Sequence, residues 1–248
     1  WVLAHLSGRP LPGRLACPLG RETALQKLMW KEDGWPWPES QSPAEEVSFS
    51  TTGDPTATRS DWVEEFDGPE WAPELQTLRL PADERYSLTD RPGHLTLAGA
   101  ESPTSRFRQT LLARRVQAFS WSAETAVDFD PEDFQQLAGL SVRYNEANQL
   151  LLRISRNDAG RRGLGILAYD RYDLSMPLGD DEPELPDGRI ELGVDADERS
   201  IQFRWKSPAG EWRKIGPAFD PAKLSDDYAE PLGFTGTFVG VAAFDLSG

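Results

Sequence analysis

Leu140-Ser-Val-Arg-Tyr144, Leu150-Leu-Leu-Arg-Ile154, Ile190-Glu-Leu-Gly-Val194 and Ile201-Gln-Phe-Arg-Trp205 decide the fold class. Each repeats a large apolar residue at every second position: Leu140, Val142, Tyr144; Leu150, Leu152, Ile154; Ile190, Leu192, Val194; Ile201, Phe203, Trp205. Successive side chains of an extended chain point to opposite sides, so this period of two marks a strand with one buried face. The turn formers Asn145-Glu-Ala-Asn148 and Ser207-Pro-Ala-Gly210 lie between such runs. Residues 131–137 and 221–228 are each expected to give one or two helical turns, and no long amphipathic helix is visible. The fold expected is all-β, a sandwich of the jelly-roll kind.

Outward from these strands the organisation changes. Residues 1–6 and 23–30 read as two further strands, with a turn at Gly8-Arg-Pro-Leu-Pro-Gly13. Gly34-Trp-Pro-Trp-Pro38 is expected to break regular structure, because proline cannot donate to a ladder. Two strands and a turn bury no core of their own, so this block must pack against something else. Residues 39–60 are rich in Ser, Thr, Pro, Glu and Asp and read as a linker. Residues 234–246 form a last apolar strand candidate, and the chain stops at Gly248. With Trp1 rather than Met at its start, it reads as a piece of a longer protein whose final strand is missing.

Composition narrows the function. The net charge is -15, almost all of it beyond residue 60. Such a surface repels phosphate backbones and anionic lipid, so neither nucleic acid nor membrane is expected as a partner, whereas a neutral sugar is compatible. No apolar run approaches the length of a membrane-spanning helix. Nine Trp, eleven Phe and five Tyr suit pleated surfaces and could equally face sugar rings. Cys17 is the sole cysteine, which forbids an internal disulfide and favours a reducing, cytoplasmic setting. His5 and His94 are too few for a zinc site or a Ser-His-Asp triad, and there is no nucleophile elbow or phosphate loop. Gly160, Gly163 and Gly165 have the wrong spacing for a dinucleotide site and read as a hairpin. No cofactor and no metal ligand is expected; the acidic clusters at 180–182 and 195–198 read as solvated loops.

Trp1-Val-Leu-Ala-His5-Leu-Ser-Gly-Arg9-Pro10 and Cys17-Pro-Leu-Gly-Arg21-Glu22-Thr23 resemble the last propeller blade of family 43 glycoside hydrolases, in the β-xylosidase and arabinofuranosidase branch. Phe66-Asp-Gly-Pro69, His94-Leu-Thr-Leu97, Leu112-Ala-Arg-Arg115 and Phe134-Gln-Gln-Leu-Ala-Gly139 are similar to that branch's C-terminal domain. So are Lys214-Ile-Gly-Pro217, Lys223-Leu-Ser-Asp226 and Gly233-Phe-Thr-Gly236. The resemblance runs colinearly over nearly the whole chain. It implies terminal strands of a five-bladed propeller in residues 1–38, a linker at 39–60 and a concanavalin A-like sandwich at 61–248.

The function so implied is that of the C-terminal part of an inverting exo-glycosidase acting on xylo-oligosaccharides or arabinosyl-substituted oligosaccharides. Its three catalytic acids lie upstream, so no residue here inherits a catalytic role. Arg21 matches an arginine expected to reach the active-site sugar, and Phe234 an aromatic leaning over the propeller mouth. Glu22 is expected to orient neighbours. The competing readings are an inter-blade salt bridge for Arg21 and core packing for Phe234. For the whole chain the alternatives are a free-standing lectin-like carbohydrate-binding module and an oligomerisation domain. Expected partners are the missing propeller of the same protein and, as a further option, a second copy.

Overall fold

A computed structural model of the chain describes residues 1–40, 46–48, 61–157, 159–231 and 233–247, so most of the expected linker lies outside the described residues. Three strands, β1 (Val2–Ser7), β2 (Glu22–Trp30) and β3 (Pro36–Pro38), make an antiparallel sheet in that order. The third strand corrects the expectation of a break: Met29 pairs with Trp37, flanked by Pro36 and Pro38. Proline is tolerated there because β3 is an edge strand whose missing donors face no partner.

Beyond residue 61 the described residues form two packed sheets and a small two-stranded one, β5-β6. Short strands β4 (Leu75–Thr77), β5 (Tyr86–Ser87) and β6 (Thr96–Leu97) precede β7 (Thr110–Arg115) and β8 (Trp121–Val127). Two sequence-predicted strands follow as β9 (Gln136–Arg143) and β10 (Gln149–Arg156), and then comes β11 (Arg162–Asp170), a strand not expected from the sequence, which takes in Gly163 and Gly165. After β12 (Asp173–Ser175) come β13 (Ile190–Ala196), β14 (Ile201–Lys206), β15 (Arg213–Phe219) and β16 (Phe238–Asp245). The larger sheet runs β12-β11-β10-β9-β16-β7-β4 and the smaller β15-β14-β13-β8. Gly160 lies in the turn of the β10–β11 hairpin, which pairs Arg156 with Arg162. Of the two expected helical stretches, only 221–228 contains a helical turn, at Pro221–Leu224; residues 131–137 run into β9.

The apolar faces read from the sequence meet between the sheets. Leu140, Val142, Leu152, Ile154, Ile190, Leu192, Val194 and Phe203 are all buried in one cluster. The expected polar, solvated face of β9 and β10 is not found: Ser141, Arg143, Leu151 and Ser155 are buried as well. A second cluster covers that side, joining Leu151, Leu111, Leu137 and Phe244 to Leu78 from the segment before β7. The chain's last strand is no edge either. Val241 of β16 pairs with Leu112 of β7 on one side and Leu140 of β9 on the other, so the two halves of the larger sheet meet through it. No helix among the described residues is long and apolar enough to cross a membrane.

Candidate functional site

The loop joining β1 to β2 is a strap that docks on the sandwich. Leu11, 1% exposed, and Ala16 pack with Ala222 and against Phe119. The Arg115 guanidinium donates to the carbonyls of Leu19 and Arg21, the latter at 2.6 Å. Thr237 N–H donates to Pro18 O at 2.7 Å, and Cys17 N–H to Asp227 Oδ2 at 2.8 Å. Gly20 (φ +67°) and Gly236 (φ +74°) meet where strap and sandwich backbones come closest. A Cβ on Gly20 would lie 2.7 Å from Gly236 Cα, and one on Gly236 would lie 2.6 Å from Leu19 C. Only glycine fits both the conformation and the distance.

This seam brings Arg21 and Phe234 together. Arg21 opens onto β2 from the strap, and its Cζ stands 4.9 Å from the centre of the Phe234 ring. Arg21 Nη1 lies 3.1 Å from Asp226 Oδ2; the Arg21 side chain is 24% exposed and that of Asp226 is 0% exposed. Among the described residues its ion-pair partner therefore belongs to the sandwich. Phe234 is 52% exposed and is not core; its backbone is left-handed, with φ 54°. That conformation is costly for a bulky side chain, by about 1–3 kcal/mol, and persists only where the surroundings enforce it.

The supports are visible. Tyr144 Oη donates to Asp226 Oδ1 at 2.8 Å and accepts from Gly233 N–H at 2.9 Å, next to Phe234. Burial, and then its hydrogen bond to Asp226, push the Tyr144 hydroxyl up to about 12, so it stays a donor across the physiological range. Burial and neighbouring Asp227 likewise push the Cys17 thiol up to about 11, which keeps it a neutral packing group. Glu22 orients a neighbour as expected, holding Arg9 through two hydrogen bonds of 2.7 and 2.8 Å. Asp226 and Tyr144 carry no local signal in the sequence; Asp226 lies within a quoted family motif but reads as an ordinary turn residue.

Chemically the site is a set of donors beside an apolar ring. The Arg21 guanidinium holds Asp226 through Nη1 and lies against the Phe234 ring, while its Nε and Nη2 make no hydrogen bond to any described residue. A planar fork of this kind bridges adjacent hydroxyls, and a phenyl ring offers an apolar face to a pyranose. Among the described residues no group of three or more His, Cys, Asp or Glu is placed to hold a metal ion.

Comparison with known proteins converges on one family. Residues 63–248 match the model of the β-xylosidase C-terminal concanavalin A-like domain of family 43 glycoside hydrolases. The chain is 38% identical to a β-xylosidase of Bacillus subtilis over 268 residues, 100% of this chain and 49% of that protein. To a putative β-xylosidase of Escherichia coli it is 36% identical over 264 residues, with the same coverage of 100% and 49%. The crystal structure of a xylan β-1,4-xylosidase from Bacillus halodurans superposes with a TM-score of 0.94 at 38% identity, covering 100% of this chain and 48% of that one. The chain spans about half the length of the curated relatives it matches.

Proposed function

Because the chain belongs to the family of β-xylosidase C-terminal concanavalin A-like domains, as part of family 43 glycoside hydrolases, we propose that it shapes the active-site pocket of an exo-acting glycosidase. The substrate class is short xylo-oligosaccharides or arabinosyl-substituted oligosaccharides. Relatives named β-xylosidase and, in Humicola insolens at 37% identity, xylosidase/arabinosidase support it. The observation that carries the reading is the pairing of Arg21, whose Nε and Nη2 make no hydrogen bond to any described residue, with the half-exposed Phe234 ring across the seam. Arg21 binds sugar hydroxyls and Phe234 walls the pocket from the sandwich side.

The rest of the enzyme docks on the three-stranded sheet. Trp1, Leu6, Trp30, Trp35 and Trp37 are all exposed on β1–β3 and the adjoining turn. By register Leu6 and Trp37 lie on one face of this sheet and Trp1 and Trp30 on the other, so both faces carry exposed apolar side chains, which mark interaction surfaces. Their occupant in this reading is the remainder of a β-propeller of the same protein, which supplies the catalytic acids. Glycoside hydrolysis needs two carboxyl groups facing across the scissile bond. The isolated chain is therefore expected to turn over neither nitrophenyl xyloside nor nitrophenyl arabinofuranoside. Measurable turnover by the rigorously purified chain would sink the assignment of catalysis to another part of the protein.

Phe234→Ala in the full-length protein tests the pocket role. The ring's loss removes about 1 kcal/mol of apolar contact with a sugar, roughly a 5-fold rise in KM for a disaccharide. Stability should barely change, since the ring is half exposed and alanine inherits the same backbone strain. Truncating a buried ring such as Phe203 would instead cost about 3–5 kcal/mol. An unchanged KM with a large drop in melting temperature would refute the pocket role.

A further inference from the structure

We propose that Asp226 is a positioning residue for Arg21 and, through Tyr144, for the Phe234 loop, so that one buried carboxylate sets both walls of the sugar site. The inference rests on the pocket reading above and adds the group that fixes its geometry. Two acidic residues flank the strap, with different duties. Asp227 accepts from Cys17 N–H and holds the strap's backbone. Asp226 has no exposed side-chain surface; among the described residues it pairs with Arg21 and Tyr144, and its charge also acts on the Cys17 thiol.

The manner of the Arg21 contact is the informative part. At the other end of the same strap, Arg9 meets Glu22 with two good hydrogen bonds, the fork-on-carboxylate arrangement of a pair serving stability. Arg21 does not bind Asp226 that way. Asp226 Oδ2 is buried with no hydrogen-bond partner, and Arg21 Nη1 faces it at 3.1 Å by charge alone. A buried carboxylate oxygen left in that state is costly, and an opposing cation offsets it only in part. The arrangement commits one end of the guanidinium, Nη1, to Asp226, while Nε and Nη2 make no hydrogen bond to any described residue, and charge, the Phe234 ring and the nearby Gly8 backbone confine the group. A Cβ on Gly8 would come within 3.1 Å of Arg21 Nη1.

The other oxygen of Asp226 carries the second arm. It accepts the Tyr144 hydroxyl, which accepts from Gly233 N–H one residue before the left-handed Phe234. Loss of the carboxylate's charge therefore releases Arg21, and loss of the hydroxyl releases the backbone that aims the ring. Asp226 cannot itself serve as acid or base toward a sugar, because no part of its side chain reaches solvent.

The test is a double-mutant cycle in the full-length protein with Arg21→Ala, Asp226→Asn and both together, assayed on a xylo-disaccharide. Asparagine keeps the shape and an acceptor for Tyr144 but removes the charge. Asp226→Asn is expected to lower kcat/KM roughly 10-fold, and the double variant to be no worse than Arg21→Ala alone. Tyr144→Phe, which retains the carboxylate, is expected to raise KM about 3-fold with kcat near wild type. Additive losses, or wild-type kcat/KM in Asp226→Asn beside an impaired Arg21→Ala, would overturn the positioning role and leave the pocket reading intact. Wild-type kcat/KM in Arg21→Ala would overturn the pocket reading itself. If Asp226→Asn does not fold, Tyr144→Phe still decides, and unchanged KM there overturns the coupling to Phe234.

Discussion

Arg21→Ala in the full-length protein is expected to lower kcat/KM by roughly 10- to 150-fold. That range corresponds to the ~1.5–3 kcal/mol of a charge-assisted hydrogen bond lost from the transition state. The substitution also strips buried Asp226 of its cation. A modest fall in stability, about 1–3 kcal/mol, should therefore accompany it, moderated by water entering the space the guanidinium leaves. Arg21→Lys separates the two effects. An ammonium keeps a positive charge opposite Asp226 and against the Phe234 ring, so stability should return. The planar fork is not restored, so kcat/KM should recover only in part. Kinetics and thermal melts on both variants read the outcome. A purely structural salt bridge would give the reverse pattern, with a lower melting temperature and normal kinetics.

Gly20→Ala is expected to be strongly destabilising at the seam. It forces a side chain into the left-handed region, at about 1–2 kcal/mol, and drives that methyl to 2.7 Å from Gly236 Cα. Neither backbone can yield without breaking the Thr237–Pro18 hydrogen bond. A total loss of about 3 kcal/mol or more follows, with a fall in melting temperature of roughly 6–12 °C for a domain of this size. Gly13→Ala is the control: its φ is +71°, but nothing lies within 4 Å of the added methyl. It should lose only the conformational term. Equal melting temperatures for the two variants would show that the strap is not held by close backbone approach. Activity should fall with Gly20→Ala and not with Gly13→Ala, because only the former moves Arg21 relative to Phe234.

The strands of the sandwich were legible because their information is local. Leu150, Leu152 and Ile154 announce a buried face within five residues, and β13 and β14 do the same. That β9 and β10 are buried on both faces was not legible. The cover comes from Leu78 and Phe244, far away in sequence and in segments with little periodicity of their own. Pro36–Pro38 was misread for a related reason: proline argues against a strand in general, and only the edge position excuses it. Family resemblance singled out Arg21 and Phe234, but nothing in the residues said that they touch. Their contact depends on Gly20 meeting Gly236 and on a buried aspartate, and an aspartate in a turn looks the same in sequence whether it faces water or a guanidinium.

The central place of β16 has a consequence for how the protein is made. Strands β7 and β9 lie on either side of β16 and are not bonded to each other. Both are synthesised before it, so the ladders β16 makes with β7 and β9 cannot form until β16 itself has been made. Unpaired strand edges are what chaperones and stray strands recognise. Phe234 lies just before β16, so the loop that aims it is anchored only when that strand slides into the slot. The pocket wall and the sheet are completed in one step, and a nascent chain paused before Phe238 would carry neither.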